Sequence, residues 1–173
     1  MLNSKDNTRE HLPLYGIGPI YVGIIFVITI IFVILSYKKI IPDFQLNFLK
    51  ILFIIIGIIL VLLGIYMWIQ GALKSRIDDN IKQNKLVITG IYAYTRNPLY
   101  TAFISICTGI LFIMNNLYLL ILPFLYWILL TVFMINTEEK WLLKVYGEEY
   151  KNYCKKVNRC IPIKKGKIWR FLK

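Results

Sequence analysis

Three stretches without a charged residue, Leu12 to Tyr37, Ile51 to Leu73 and Asn97 to Thr137, constrain this chain more than any other feature. A helix needs about 20 consecutive apolar residues to cross a bilayer, so each stretch is a candidate span and the third is long enough to cross twice. Its middle carries Met114, Asn115 and Asn116, a tight turn that leaves helices from Leu99 to Met114 and from Leu117 to Ile135. At the helical rise these reach roughly 24 and 28 Å, slightly short of a hydrocarbon core. Four spans are expected, near residues 15–37, 51–73, 98–114 and 117–135, within one domain covering residues 1–173. The apolar fraction of 58% and mean hydropathy of +0.62 lie well above a soluble domain's. Strand signals are weak and beta-barrel alternation is absent, so the fold class is an all-α integral membrane protein.

Charge placement orients the spans, because short cytoplasmic loops are enriched in Lys and Arg. Two basic residues precede the first span and three lie in the first loop; five fall between Lys74 and Arg96, none in the Asn-Asn turn and eleven after Ile135. Four spans place eighteen of the 21 on one side, so both termini and the segment 74–96 are expected in the cytoplasm. The net charge of +12 then reflects topology and attraction to anionic headgroups, and nucleic acid is excluded as a partner for so apolar a chain. Residues 1–11 are mixed in charge and precede a run too long for a signal-peptide core, so the first helix is expected to be retained. Cys107, Cys154 and Cys160 form no short metal-ligand pair, and the single histidine, His11, is distant in sequence; neither a metal site nor a structural disulfide is expected.

Gly57, Gly64 and Gly71 recur at seven-residue spacing and share one helix face, which admits a neighbouring helix or a flat ligand; packing through small residues is the simpler use. Asn97 and Pro98 read as an N-cap and first helical position, so a helix starts there. A turn at Thr89 and Gly90 would bring Tyr92, Tyr94 and Tyr100 to the membrane interface. After Ile135, residues 136–173 read as a cytoplasmic amphipathic segment with Leu142, Tyr146, Tyr150, Tyr153 and Val157 on one face. Trp169 and Phe171, set among basic residues, read as an interfacial anchor.

Two features could carry chemistry. At the helix start, exposed N–H groups and the helix dipole favour an anion, and Arg96 adds a guanidinium fork suited to a carboxylate or phosphate. Taken alone, Arg96 is also an ordinary positive-inside residue, and the tyrosines an ordinary aromatic belt. The second feature is Glu138 and Glu139, directly after the fourth span. Glu139 shares the sector of Leu142, Tyr146 and Tyr150 and so points a carboxylate into an aromatic face, although acids at a helix start also serve the dipole. Both features fall on one side of the membrane, where they would offer separate places for anionic and cationic groups.

These residues resemble the isoprenylcysteine carboxyl methyltransferase family and its phospholipid methyltransferase relatives. The pattern is Gly-x-Tyr, Arg-His/Asn-Pro-x-Tyr, Glu-Glu, Gly-x-Glu-Tyr, a later Tyr and Arg-x-x-Pro. It is met by Gly90, Tyr92, Arg96, Asn97, Pro98, Tyr100, Glu138, Glu139, Gly147, Glu149, Tyr150, Tyr153, Arg159 and Pro162, within residues 86–163. The resemblance implies an S-adenosylmethionine-dependent methyl transfer at the cytoplasmic membrane face to a lipophilic or lipidated acceptor. It implies Arg96, Glu139 and Arg159 as the catalytic set. Tyr92, Arg96, Asn97, Pro98, Tyr100, Glu138, Glu139, Tyr146, Gly147 and Tyr150 would hold the cofactor.

Asn97 stands where many members carry His. A carboxylate acceptor is already ionised near neutral pH and needs no base, whereas an amine must lose a proton, so Asn97 favours carboxyl O-methylation with Arg96 and Arg159 as clamps. A phospholipid amine remains the alternative acceptor. The residues 145–163 also share a progression with NADPH-dependent sterol reductases, but the chain has no glycine-rich dinucleotide loop and little room for both ligands. A non-catalytic membrane interaction protein is the third alternative.

Overall fold

The computed structural model describes residues 18–75 and 85–162. The expectations for residues 1–17, including His11, and for Trp169 and Phe171 lie outside them, as do residues 76–84 of the loop between Lys74 and Arg96. Among the described residues five α-helices follow in order: α1 Gly18–Tyr37, α2 Lys50–Trp68, α3 Pro98–Ile113, α4 Leu122–Asn136 and α5 Glu138–Lys156. Among the described residues there is no strand, and one isolated bridge pairs Thr95 with Asn158 in parallel.

Among the described residues three helical segments are long and apolar enough to span a membrane: Gly18–Tyr37, Asn47–Lys74 and Leu117–Asn136; Pro98–Ile113 is apolar but shorter. The second gains its length from a 3-10 turn before α2 and a π-helical turn, Ile69–Lys74, after it. The third begins with a 3-10 turn, Leu117–Ile121, ahead of Pro123. The hairpin between α3 and α4 turns where Asn115 adopts a φ of 49°, a left-handed conformation that Asn tolerates better than most residues. Asn116 then accepts from the Tyr118 N–H and donates to Ser36 Oγ at 3.1 Å and the Pro42 carbonyl at 3.2 Å.

The glycine stripe of α2 is a helix-packing seam. A Cβ on Gly57 would meet the Gly109 carbonyl and Ile113; one on Gly64, Ala102 and Ile106; one on Gly71, Leu99 and Pro98. Each step of seven up α2 moves the partner seven residues down α3, so the two helices run antiparallel in register. On the other side, α1 runs parallel to α3, through Phe26 against Phe103 and Tyr21 edge-on to Tyr100 at 5.8 Å. It runs antiparallel to α4, through Thr29 against Tyr126 and Tyr21 against Phe133. Tyr21 donates to the Tyr126 carbonyl at 2.8 Å, and the Thr29 and Tyr126 hydroxyls share a bond of 2.8 Å, so these three buried hydroxyls are paired, as a dry interior requires.

The four apolar segments therefore alternate in direction. The start of α1, the end of the α2 segment, the start of α3 and the end of α4 come together at one end of the bundle. Ile30, Ile34, Ile55, Ile59, Leu62, Phe124, Ile128 and Val132 face outward, the pattern of a lipid-facing surface.

Candidate active site

At that end three segments of the chain meet: the approach to α3, residues 157–160 and α5. Gly90, with φ +60°, opens a 3-10 turn, Gly90–Ala93, that buries Tyr92 while Tyr94 stays exposed. Thr95 to Asn97 then form the approach to α3, and Pro98 takes its first position. Asn97 occupies the N-cap place, but its side chain does not cap the helix as expected from sequence; its amide donates instead to the Arg159 carbonyl at 3.2 Å. That carbonyl also accepts from the Asn97 N–H at 3.1 Å and the Thr95 hydroxyl at 2.9 Å. The Arg96 N–H reaches the Asn158 carbonyl at 2.9 Å, and the Thr101 hydroxyl donates to the Cys160 carbonyl at 3.0 Å. The carbonyls of residues 158–160 prevail over the local cap because together they satisfy several donors at once.

The third segment is α5, which begins one residue after α4 at Thr137, whose non-helical backbone breaks the run. Periodicity treats residues 142–157 as one helix. The chain instead kinks at Gly147 (φ 52°, ψ −122°), a conformation suited to glycine, and Val157 lies past the helix in extended backbone. The predicted face nevertheless assembles: Tyr150, Tyr153 and Val157 are buried together, with Leu142, Tyr146, Cys154 and Leu86 packed against them. Tyr153 donates to the Tyr92 carbonyl at 2.6 Å, tying α5 to the 3-10 turn.

Glu139 lies between two arginines. The Arg159 fork is bidentate, Nε to Oε1 at 2.7 Å and an Nη to Oε2 at 2.9 Å, while Arg96 reaches Oε1 through one nitrogen at 3.3 Å. The Arg96 side chain is only 7% exposed, against 14% for Glu139 and 24% for Arg159. The other terminal nitrogen of Arg96 donates to the Tyr150 hydroxyl at 3.3 Å and to Cys154 Sγ, and its guanidinium carbon lies 5.8 Å from the Tyr150 ring centre. Arg96 Nε is buried with no hydrogen-bond partner. The bond to Glu139 raises the pKa of Arg159. Burial holds the hydroxyls of Tyr150 and Tyr153 well above the ordinary phenol range, although Arg96 pulls Tyr150 the other way. Burial and the nearby Glu149 also raise Tyr146, and burial pushes the Cys160 thiol up to about 11.

Of the residues singled out from sequence, Arg96, Glu139, Arg159 and Tyr150 meet in one cluster, and Asn97 borders it through the Arg159 backbone. Glu138 is turned away from it and accepts from the Tyr100 hydroxyl, whose ring lies against Gly18 of α1. Pro98 packs on Gly71 of the π-helical turn after α2. Gly147 lines open space, since a Cβ there meets nothing within 4 Å. Thr95, Thr101 and Cys154 were not anticipated. Their roles depend on pairing between residues about 60 apart, which no local pattern encodes, although Cys154 falls one turn from Tyr150 on the same helix.

The phospholipid methyltransferase family model matches residues 46–149. The chain is 35% identical over 85 residues to the protein-S-isoprenylcysteine O-methyltransferase of Schizosaccharomyces pombe, covering 47% of this chain and 35% of that protein. It is 34% identical over 116 residues to the protein-S-isoprenylcysteine O-methyltransferase of Saccharomyces cerevisiae, covering 62% of this chain and 48% of that protein. The aligned parts thus span between about a third and a half of these relatives' lengths. No solved structure matches the chain.

Proposed function

The chain belongs to the phospholipid methyltransferase family, and from that premise we propose that it is an S-adenosylmethionine-dependent methyltransferase acting on a lipophilic acceptor. The acceptor we infer is the carboxylate of an isoprenylcysteine-like group, as the names of its relatives suggest. One observation carries the proposal: a guanidinium buried to 7% exposure keeps its Nε without a partner beside an aromatic face. A buried donor left unpaired is costly, and a ligand carboxylate would satisfy it.

The residues fit the methyl donor. Arg96 would hold its carboxylate through Nε, and the Tyr150 ring offers a face for a cationic group. When bound, the donor supplies an electrophilic methyl group on a sulfonium. The chain's own part is to orient that group, exclude water and bring the acceptor in line. No phenolate base is available near neutral pH, because burial keeps Tyr150 and Tyr153 protonated. A carboxylate acceptor needs none, since it is ionised at that pH. An amine would have to shed its proton elsewhere, so a phospholipid amine, favoured by the family's description, is the second reading.

The four apolar segments would each cross the membrane. The positive-inside rule would place the Arg96 and Glu139 end in the cytoplasm, reachable by a soluble donor and open sideways to lipid. The test uses the detergent-purified chain. S-adenosylhomocysteine should raise its melting temperature while NADP does not. Labelled methyl donor should then yield a base-labile ester on a farnesylated cysteine analogue. Label on phosphatidylethanolamine instead would favour the amine reading, and stabilisation by NADP alone would overturn the proposal.

A further inference from the structure

Arg96 and Arg159 share one carboxylate unequally. A guanidinium grips a carboxylate side-on through Nε and the neighbouring terminal nitrogen, as Arg159 does here with 2.7 and 2.9 Å bonds to both oxygens of Glu139. On Arg96 the same edge is half used: one terminal nitrogen reaches Oε1 at 3.3 Å while Nε beside it has no partner. The oxygen that would complete the second fork, Oε2, is held by Arg159.

We propose that Arg159 is a positioning residue: by occupying both oxygens of Glu139 it keeps Arg96 from closing on that carboxylate, and so reserves the Nε edge of Arg96 for an anionic group of the ligand. The proposal rests on the methyl-donor reading above and assigns Arg159 no contact with that ligand. Charge agrees with it. Two guanidinium groups around one carboxylate leave a net positive charge in a mostly buried place, which an incoming carboxylate neutralises. The anchoring of this segment also separates the two roles of residue 159. Its main-chain carbonyl takes three donors, from Thr95 and Asn97, whatever its side chain is. Replacing the side chain therefore leaves the segment pinned and frees Glu139 to swing fully onto Arg96.

The experiment compares two ligands on the full chain in detergent: S-adenosylhomocysteine, which carries the amino-acid carboxylate, and methylthioadenosine, which lacks it. R159Q should weaken S-adenosylhomocysteine by about tenfold and leave methylthioadenosine within about twofold, because only the carboxylate contact is lost. R159K, which keeps the charge but offers no fork, should fall between. In the E139Q background, where there is no carboxylate to restrain, R159Q should cost no more than about a further twofold. Equal loss of both ligands would mark a merely structural residue and overturn the proposal. So would an undiminished loss in the E139Q background, which would place Arg159 on the ligand itself, or unchanged binding in R159Q. If the unaltered chain binds methylthioadenosine but not S-adenosylhomocysteine more tightly, this inference fails while the cofactor class stands; if it binds neither, the methyl-donor reading fails with it.

Discussion

The seam between α2 and α3 gives a graded prediction. At Gly57 an added Cβ would sit 2.6 Å from the Gly109 carbonyl oxygen and 3.1 Å from the Ile113 nitrogen, and at Gly64 2.7 Å from the Ala102 carbonyl oxygen. These are backbone atoms, which cannot rotate away. Restoring ordinary contact requires the helices to part by about 0.8 Å at Gly57, which forfeits a large share of the dispersion contact along the seam. Overpacking costs about 1–3 kcal/mol, and a clash with rigid backbone falls in the upper part of that range, about 2–3 kcal/mol; the better helix propensity of Ala returns about 1 kcal/mol. Gly57→Ala and Gly64→Ala should therefore each lose about 1–2 kcal/mol, a fall of roughly 2–8 °C in melting temperature for a chain of this size. At Gly71 the nearest atom is Leu99 Cδ2 at 3.1 Å, the end of a flexible side chain, so Gly71→Ala should be close to neutral. Gly23 meets nothing within 4 Å, so Gly23→Ala should be neutral or stabilising by up to about 1 kcal/mol. Thermal melts of the four variants in one detergent test the order. If Gly57→Ala melts with the unaltered protein, or Gly23→Ala falls as far as Gly57→Ala, the close antiparallel seam is refuted.

Removing either partner of the central ion cluster should have unequal effects. Arg96→Ala leaves Glu139 held by Arg159 and should abolish S-adenosylhomocysteine binding with only a modest loss of stability, whereas Glu139→Ala strands two guanidinium groups and should cost about 3–5 kcal/mol as well; paired melts and binding titrations separate them, and equal stabilities would contradict the asymmetry. Tyr153→Phe leaves the Tyr92 carbonyl without its 2.6 Å donor and should destabilise by about 1–3 kcal/mol, again read by melting, with no change expected if that bond is absent in solution. The folded-state pKa values of Tyr150 and Tyr153 are raised, so their contribution to stability is fully present below the unfolded phenol value, about 10, and is lost as pH rises beyond it. Melting temperature should be insensitive to these two groups from pH 7 to about 9 and fall above about 10, and the Tyr153→Phe variant should show a shallower fall.

Hydrophobic runs and glycine spacing were enough to read the helices and the seam, because both depend on neighbours a fixed number of residues away. The start of α3 at Pro98 and the hairpin turn at Asn115 and Asn116 were legible for the same reason. The aromatic face of Tyr146, Tyr150 and Tyr153 was also legible, although Gly147 breaks the helix that the periodicity assumes. What the sequence hid was the pairing of residues 95–101 with the carbonyls of residues 158–160. Asn97 looked like a cap because local chemistry favours one, and only the arrival of residues 157–160 from the far end of the chain redirects its amide to a carbonyl. The division of labour between Arg96 and Arg159 was hidden likewise, since two arginines in a motif are equivalent until the geometry shows which one has finished its hydrogen bonding.

The contact between Arg96 and Glu139 also decides how the long uncharged run must be folded. Drawn as one straight helix, the run between Asn97 and Thr137 would carry its ends about 60 Å apart. The side chains of Arg96 and Glu139, which flank the run, instead meet at 3.3 Å, so the chain must reverse near its middle, and the reversal must fall at the Asn-Asn pair for the two arms to match in length. Each arm is then near the lower limit for a bilayer. Under the proposed function, short arms would keep the buried ion cluster close to the membrane surface, where a charged ligand could arrive from water while an apolar acceptor stays in lipid. Lengthening one arm alone, by a turn of four leucines after Ile110, would displace one half of the cluster from the other by about 5–6 Å. Such an insertion should leave the chain membrane-embedded yet abolish ligand binding, whereas a matched insertion in α4 should partly restore it; binding retained after the single insertion would mean that the cluster is not assembled by the hairpin.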